Sequence, residues 1–191
     1  MRKLLPAILI VFMMFMPVIA FGCPVIRVCF TPGGNCTGMI VSEIDSARSE
    51  VLVQAYSFTS APIAKALVEA FRRGIHVEAI LDKSQETERY SSATFLAHAG
   101  IPVLIDHKHA IPHNKIVIID RREIITGSFN FTRAAQKRNA ENLLVIQHDR
   151  KLVGKYLDNY HFHRDHSEPY RRHDEKWKEK HREKRHRRTY Y

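Results

Sequence analysis

From residue 50 onward the apolar positions fall into short unbroken runs, separated by stretches in which they recur every three or four residues. Val51-Leu-Val-Gln-Ala-Tyr-Ser-Phe58 is a run of the first kind and predicts a buried strand. Ser60 then caps a helix with Pro62 in its first turn, Ile63, Leu67 and Phe71 on one face and Gly74 as its stop. His76 to Leu81 is the next strand. A helix is predicted from about Glu88 to Ala99, and Gly100 leads into a short strand from Ile101 to Ile105. Upstream, Gly38 to Ser49 is helical, with Ile40, Ile44 and Ala47 sharing a face.

The rhythm changes after residue 110. Lys115 to Asp120 and Glu123 to Thr126 are separated only by Arg121 and Arg122 and so predict an antiparallel hairpin. A helix at Phe131 to Lys137, a strand at Asn142 to Gln147 and a closing helix from Lys151 to about Phe162 follow. Strands alternating with helices, then a hairpin, predict an α/β fold whose mixed sheet carries helices on both faces.

The two ends differ from this middle. Arg2 and Lys3 precede an uncharged run from Leu4 to Gly22, the layout of a secretory signal peptide. The uncharged stretch continues to Ile26, so an uncleaved membrane anchor is the second reading and a lipid-modified Cys23 the third. All three place the remaining chain outside a bacterial cytoplasm, periplasmic or secreted. Residues 169–191 carry ten Lys+Arg against four Asp+Glu, so this segment holds +6 of the formal +10. Its few apolar residues cannot offset the entropy of ordering, which predicts a disordered basic tail suited to a polyanion, either nucleic acid or an anionic membrane surface. A solvated tail that only aids solubility is the plainer alternative.

The remaining 23–168 is long enough for one core. At 45% hydrophobic residues, composition argues against wholesale disorder and a collagen-like repeat, and three cysteines against a disulfide-stapled miniprotein. Cys29 and Cys36 flank the turn sequence Thr-Pro-Gly-Gly-Asn and are expected to pair, leaving Cys23 as a spare thiol; zinc bound by the cysteines is the weaker reading, without paired C-x-x-C spacing.

The chemistry concentrates in His113-Asn-Lys115, Asp120 and Gly127-Ser128-Phe-Asn130, which together read H-x-K-x4-D-x6-G-S-x-N. His113 and Lys115 are two apart at the mouth of a strand, so both can meet one phosphate. Backbone N–H groups at the start of the helix that follows Gly127-Ser128-Phe-Asn130, with the side chains of Ser128 and Asn130, are expected to cradle phosphate oxygens. With His109-Ala-Ile-Pro-His113, Ala55-Tyr-Ser-Phe-Thr59 and Asn139-Ala-Glu141-Asn142, the segment from roughly residue 38 to 168 resembles the phospholipase D superfamily, and within it the small bacterial endonucleases. That resemblance implies a phospholipase D-like sandwich, phosphodiester cleavage through a phosphohistidine, and Glu141 as the carboxylate partner of the histidine.

Cleaving a phosphodiester without metal needs a nucleophile in line with the leaving oxygen and an acid on the far side. One imidazole cannot stand at both ends of that axis, and the chain has a single His-x-Lys-x4-Asp. A symmetric homodimer is therefore expected, one His113 attacking and its twin protonating, with Lys115 offsetting the phosphoryl charge. No cofactor and no metal is expected. His161, His163, His166, His173, His181 and His186 could hold metal loosely, but no carboxylate or cysteine is seen to complete a site. Asp120, five residues beyond Lys115, belongs to the catalytic motif yet is expected to point away and tie down the hairpin or a dimer face. His109 is either a substrate contact or an idle loop histidine, and Thr59 and Ser60 are expected to border the pocket. Three functions follow: a sequence-nonspecific endonuclease of DNA, extending to RNA; a phospholipid hydrolase or phosphatidyl transferase; and a non-catalytic polyanion-binding protein.

Overall fold

The unbroken apolar runs become the strands of one sheet, and the periodic stretches become the helices that cover it. In chain order the elements are β1 (Val25–Thr31), α1 (Cys36–Ser46), β2 (Glu50–Ala55), α2 (Ala61–Arg72), β3 (His76–Asp82), a 3-10 turn (Lys83–Glu86), α3 (Ala93–His98), β4 (Val103–Asp106), β5 (Lys115–Ile119), β6 (Glu123–Gly127), α4 (Arg133–Lys137), β7 (Glu141–Gln147), α5 (Arg150–Arg164) and β8 (Glu168–Pro169). This computed structural model describes residues 23–171 except residue 89. The signal, anchor and lipid alternatives for 1–22 and nearly all of the basic tail lie outside the described residues.

The eight strands run in the order β1-β7-β6-β5-β2-β3-β4-β8. β2, β3 and β4 run parallel to one another; β5, β6, β7 and β1 pair antiparallel in succession on the β2 side, and β8 pairs antiparallel with β4. The expected mixed sheet is therefore present. Alternation sends Val51, Val53, Val117, Ile119, Ile125 and Val145 to one face, under α1 and α2. Leu52, Ile80, Ile116, Ile118 and Ile124 point to the other face, where Val153 and Tyr160 of α5 cover them. Helices thus lie on both faces.

Three local differences have physical causes. The helix expected from Glu88 shrinks to α3, because the Ser91 hydroxyl accepts the Ala93 N–H (3.2 Å) and Ser92 N–H is drawn to Phe58 O (2.8 Å). The helix expected from Phe131 starts two residues later, where the Thr132 side chain caps it. The tail boundary set at 169 falls inside the fold: Pro169 pairs with Leu104, Tyr170 N–H donates to Val103 O (2.8 Å), and its hydroxyl meets Thr94 (2.7 Å). Sequence patterning also missed β1, whose apolar residues merge with the uncharged run before it. Cys29 and Cys36 are joined by a disulfide that ties β1 to α1, and Cys23 is a free, exposed cysteine.

Candidate active site

Strand direction brings the motif together. β5 runs antiparallel to β2, so Lys115 stands opposite Ala55 at the carboxyl end of β2. β6 reverses the chain, and Gly127 returns to the same edge opposite Leu143, two residues into β7 after Glu141. The segments around Tyr56, His113 to Lys115, Gly127 to Asn130 and Asn139 to Asn142 therefore share one edge of the sheet, and Tyr56 N–H donates to Asn114 O (2.9 Å) to hold two of them.

His113 and Lys115 meet over Tyr56. The His113 ring lies 4.5 Å from the Tyr56 ring, and Lys115 Nζ lies 5.3 Å above the same ring. Nζ donates to His113 O (2.9 Å), so the cation is pinned beside the histidine. Lys115 is buried, and burial lowers its pKa while the nearby Glu141 carboxylate opposes that shift. An ammonium held in a partly desolvated place acts more strongly on a phosphate than one in water.

Glu141 is fixed from two sides: Oε2 accepts from the Ser128 hydroxyl (2.6 Å) and Oε1 from the Asn139 amide (3.0 Å). The Ser128 oxygen in turn accepts from Asn142 N–H (3.0 Å). Gly127 has φ of +148°, and a Cβ there would sit 2.3 Å from Asn142 O, so only glycine lets β6 and β7 approach this closely. Asn130 Oδ1 is buried and without a hydrogen-bond partner among the described residues. A groove of about 350 Å³ opens beside these groups, lined by His113, Lys115, Thr126, Lys155, Tyr156 and Asn159.

Asp120 points away from the groove and ties down the hairpin, as expected: it is at the opposite end of β5 from Lys115. Its carboxylate accepts from Arg48 N–H (2.9 Å), Ser49 N–H (2.7 Å), Ser49 Oγ (2.8 Å) and Glu50 N–H (3.0 Å), which ties the loop after α1 to the hairpin turn. The N–H groups of Ser128 and Phe129 both donate to Asn142 O (3.1 and 3.2 Å). Other expectations need correcting. Glu141 bonds Ser128 and Asn139, in place of the expected bond to His113. Thr59 borders a separate hollow of about 380 Å³ between α2 and α3, and Ser60 serves as the N-cap of α2. His109 turns to Asp106 and away from the groove (2.9 Å). Sequence reasoning had no signal for the α5 residues Lys155, Tyr156 and Asn159, since only the tertiary fold lays that helix along the groove.

A histidine and a lysine two residues apart, with a serine-bound carboxylate at the edge of an α/β sheet, suit the cleavage of a phosphodiester. Residues 40–164 match the family described as "Cardiolipin synthase, PLD-like domain". A protein named "Phospholipase D" from Rickettsia felis is 46% identical over 135 residues, covering 71% of this chain and 67% of that one. The human "Mitochondrial cardiolipin hydrolase" is 30% identical over 140 residues, 73% of this chain and 54% of its own length. The solved structure of Nuc from Salmonella typhimurium, a phospholipase D family member, superposes with a TM-score of 0.75 at 37% identity, covering 78% of this chain and 99% of that one. NucT from Helicobacter pylori shares the fold, with a TM-score of 0.69 at 24% identity over 77% of this chain and 99% of NucT. The chain belongs to the phospholipase D superfamily, in its short, single-motif, Nuc-like type, and is a phosphodiester hydrolase.

Proposed function

We propose that the protein is a metal-independent, sequence-nonspecific endonuclease of DNA, extending to RNA, that works as a homodimer in the periplasm or outside the cell. The observation that carries this reading is a single His113–Lys115 pair on an open sheet edge, in a chain that aligns with nearly all of Nuc. The groove carries cations. Lys155 lines it, and Arg133, Lys137 and Arg138 gather on and just after α4, which follows the Gly127-Ser128-Phe-Asn130 turn. A polyanionic strand suits such a surface.

In the reaction an imidazole nitrogen of His113 attacks phosphorus, and the bond to the leaving oxygen breaks. The partner's His113, protonated, gives its proton to that oxygen. The same imidazole then takes a proton from water, whose oxygen attacks the phosphohistidine and releases the first His113. Lys115 from both subunits stabilises the charge on the phosphoryl oxygens. An uncovered apolar strip supports the dimer: Ile26, Val28 and Phe30 of β1 are 62%, 51% and 63% exposed, and Phe30 lies across the ladder from Asn142, next to Glu141. The Cys29–Cys36 disulfide fits an oxidising compartment.

A second reading, cleavage of phospholipid, is supported by the names of the Rickettsia and human relatives. One experiment separates the two: wild type and His113→Asn are given DNA and phospholipid vesicles in chelator. The nuclease reading expects DNA cleavage that falls by at least about 10²-fold in the variant, with vesicles intact. Headgroup release with intact DNA would establish the lipid reading.

A further inference from the structure

One cluster of side chains has no part in the reaction above. Asp106, the last residue of β4, is fully buried. Its Oδ1 accepts the N–H groups of Lys108 (3.0 Å) and His109 (3.2 Å). Its Oδ2 faces three imidazoles: His163 Nδ1 at 2.8 Å, His109 Nδ1 at 2.9 Å and His166 Nε2 at 3.3 Å. These four donor atoms all lie within 4.8 Å of one another. The three rings stand 4.7 to 5.4 Å apart, with Phe162 against their edges.

Hydrogen bonding alone does not account for this convergence. A carboxylate oxygen has two lone-pair directions, and His163 and His109 occupy both. His166 Nε2 is left buried with no hydrogen bond, although it points at the same oxygen. A buried ring nitrogen without a partner is costly, and a lone pair aimed at a carboxylate is repelled by it. A cation at the centre would satisfy all four atoms at once.

We propose that Asp106, His109, His163 and His166 form a closed, structural site for a divalent transition-metal ion, with Zn²⁺ as its occupant. Three imidazoles and one carboxylate are a donor set that suits Zn²⁺ and does not suit Ca²⁺ or Mg²⁺, which take oxygen ligands. Bonds of about 2.0–2.1 Å in a tetrahedron place ligand atoms roughly 3.4 Å apart; the carboxylate oxygen lies 2.8 to 3.3 Å from the three ring nitrogens and all four atoms lie within 4.8 Å of one another, so small side-chain movements close them on one ion. The negative end of the α5 dipole, where His163 and His166 sit, favours a cation there. With four protein ligands no position is left for a reacting water, which makes the role structural. The ion would join the end of β4, the carboxyl end of α5 and the loop that runs from His109 to His113. The sequence argument against a metal held that no carboxylate completes a histidine site. Asp106 is that carboxylate, 57 residues from His163 along the chain.

The site stands whether the substrate is nucleic acid or lipid, so its test does not use turnover. The full chain, stripped with chelator, reloaded with Zn²⁺ and desalted, is expected to retain about one ion per chain. Loaded with Co²⁺, it is expected to show the visible absorption of a tetrahedral nitrogen-oxygen site. His109→Ala and His166→Ala are each expected to weaken Zn²⁺ binding by roughly 100-fold or more and to abolish the rise in melting temperature that Zn²⁺ gives the wild type. A full-length variant with His173, His181 and His186 all changed to Asn is expected to keep the ion, and far-UV circular dichroism of each metal-free variant checks that it is folded. Failure of the wild type to retain Zn²⁺, or retention that is lost with the three tail histidines and not with the cluster, would overturn the proposal.

Discussion

Asp120 and Lys115 belong to one motif yet do different work, and their surroundings say why. Lys115 is pinned between His113 O and the Tyr56 ring, whereas Asp120 gathers backbone N–H groups from Arg48, Ser49 and Glu50 at the far end of the strand. Burial alone would raise the Asp120 pKa, but the bonds from Glu50, Ser49 and Arg48 hold it below the usual carboxylate range. A depressed carboxylate gives stability that is present above its unfolded pKa and lost as pH falls through the folded value. Asp120→Ala is therefore expected to lower stability at pH 7 by about 1–3 kcal/mol, with a smaller difference from wild type in strong acid. Turnover per folded molecule at low temperature should stay within a few-fold of wild type, as urea melts at several pH values and an assay at 10 °C would read. A drop as deep as that of His113→Asn would return Asp120 to the reaction.

At the scale of elements, the sheet holds a buried carboxylate that works against stability. Glu123 at the start of β6 is pushed up to about 7, first by burial, with the Gln147 amide opposing and the Glu43 carboxylate adding to the rise. Glu43 itself is paired with Arg27 of β1 (2.6 Å), so α1, β1, β6 and β7 meet in this network. A folded pKa above the unfolded one means the unfolded chain releases its proton first, so stability falls as pH rises from about 4.5 to about 7. Glu123→Gln should remove that slope and leave the variant more stable than wild type at pH 8 by about 1–3 kcal/mol, measured by chemical denaturation at pH 5 and 8. The same elements show what patterning can read. β2, β3, β5, β6, α2 and α5 were legible because their apolar spacing matches one period over their whole length. β1 and β8 were not, one for want of alternation and the other because two residues carry no period.

For the molecule as a whole, the proposed homodimer can be tested at the apolar strip on β1. Changing both Ile26 and Phe30 to Asp is expected to give a monomer by light scattering that stays folded by far-UV circular dichroism, because both side chains are exposed in the single chain. Turnover should fall by at least about 100-fold, since each subunit then lacks the second imidazole. A fully active monomer would remove the two-histidine mechanism. The overall architecture also decides where chemistry can occur: the carboxyl ends of β2 and β3, the start of β5 and the end of β6 all face one edge, and the groove lies there.

What the amino-acid order determined by itself was the family motif, with its candidate reacting groups, and most of the elements, because both are local: a fixed spacing around His113 and a period along each segment. Only the tertiary structure decided which groups meet. It gave Glu141 to Ser128 and Asn139, spent the Ser128 and Phe129 amides on Asn142, and brought His163 and His166 to Asp106 and the nearby His109. The physical reason is that sheet pairing and helix docking bring together residues far apart in the chain, and neither leaves a mark in local spacing.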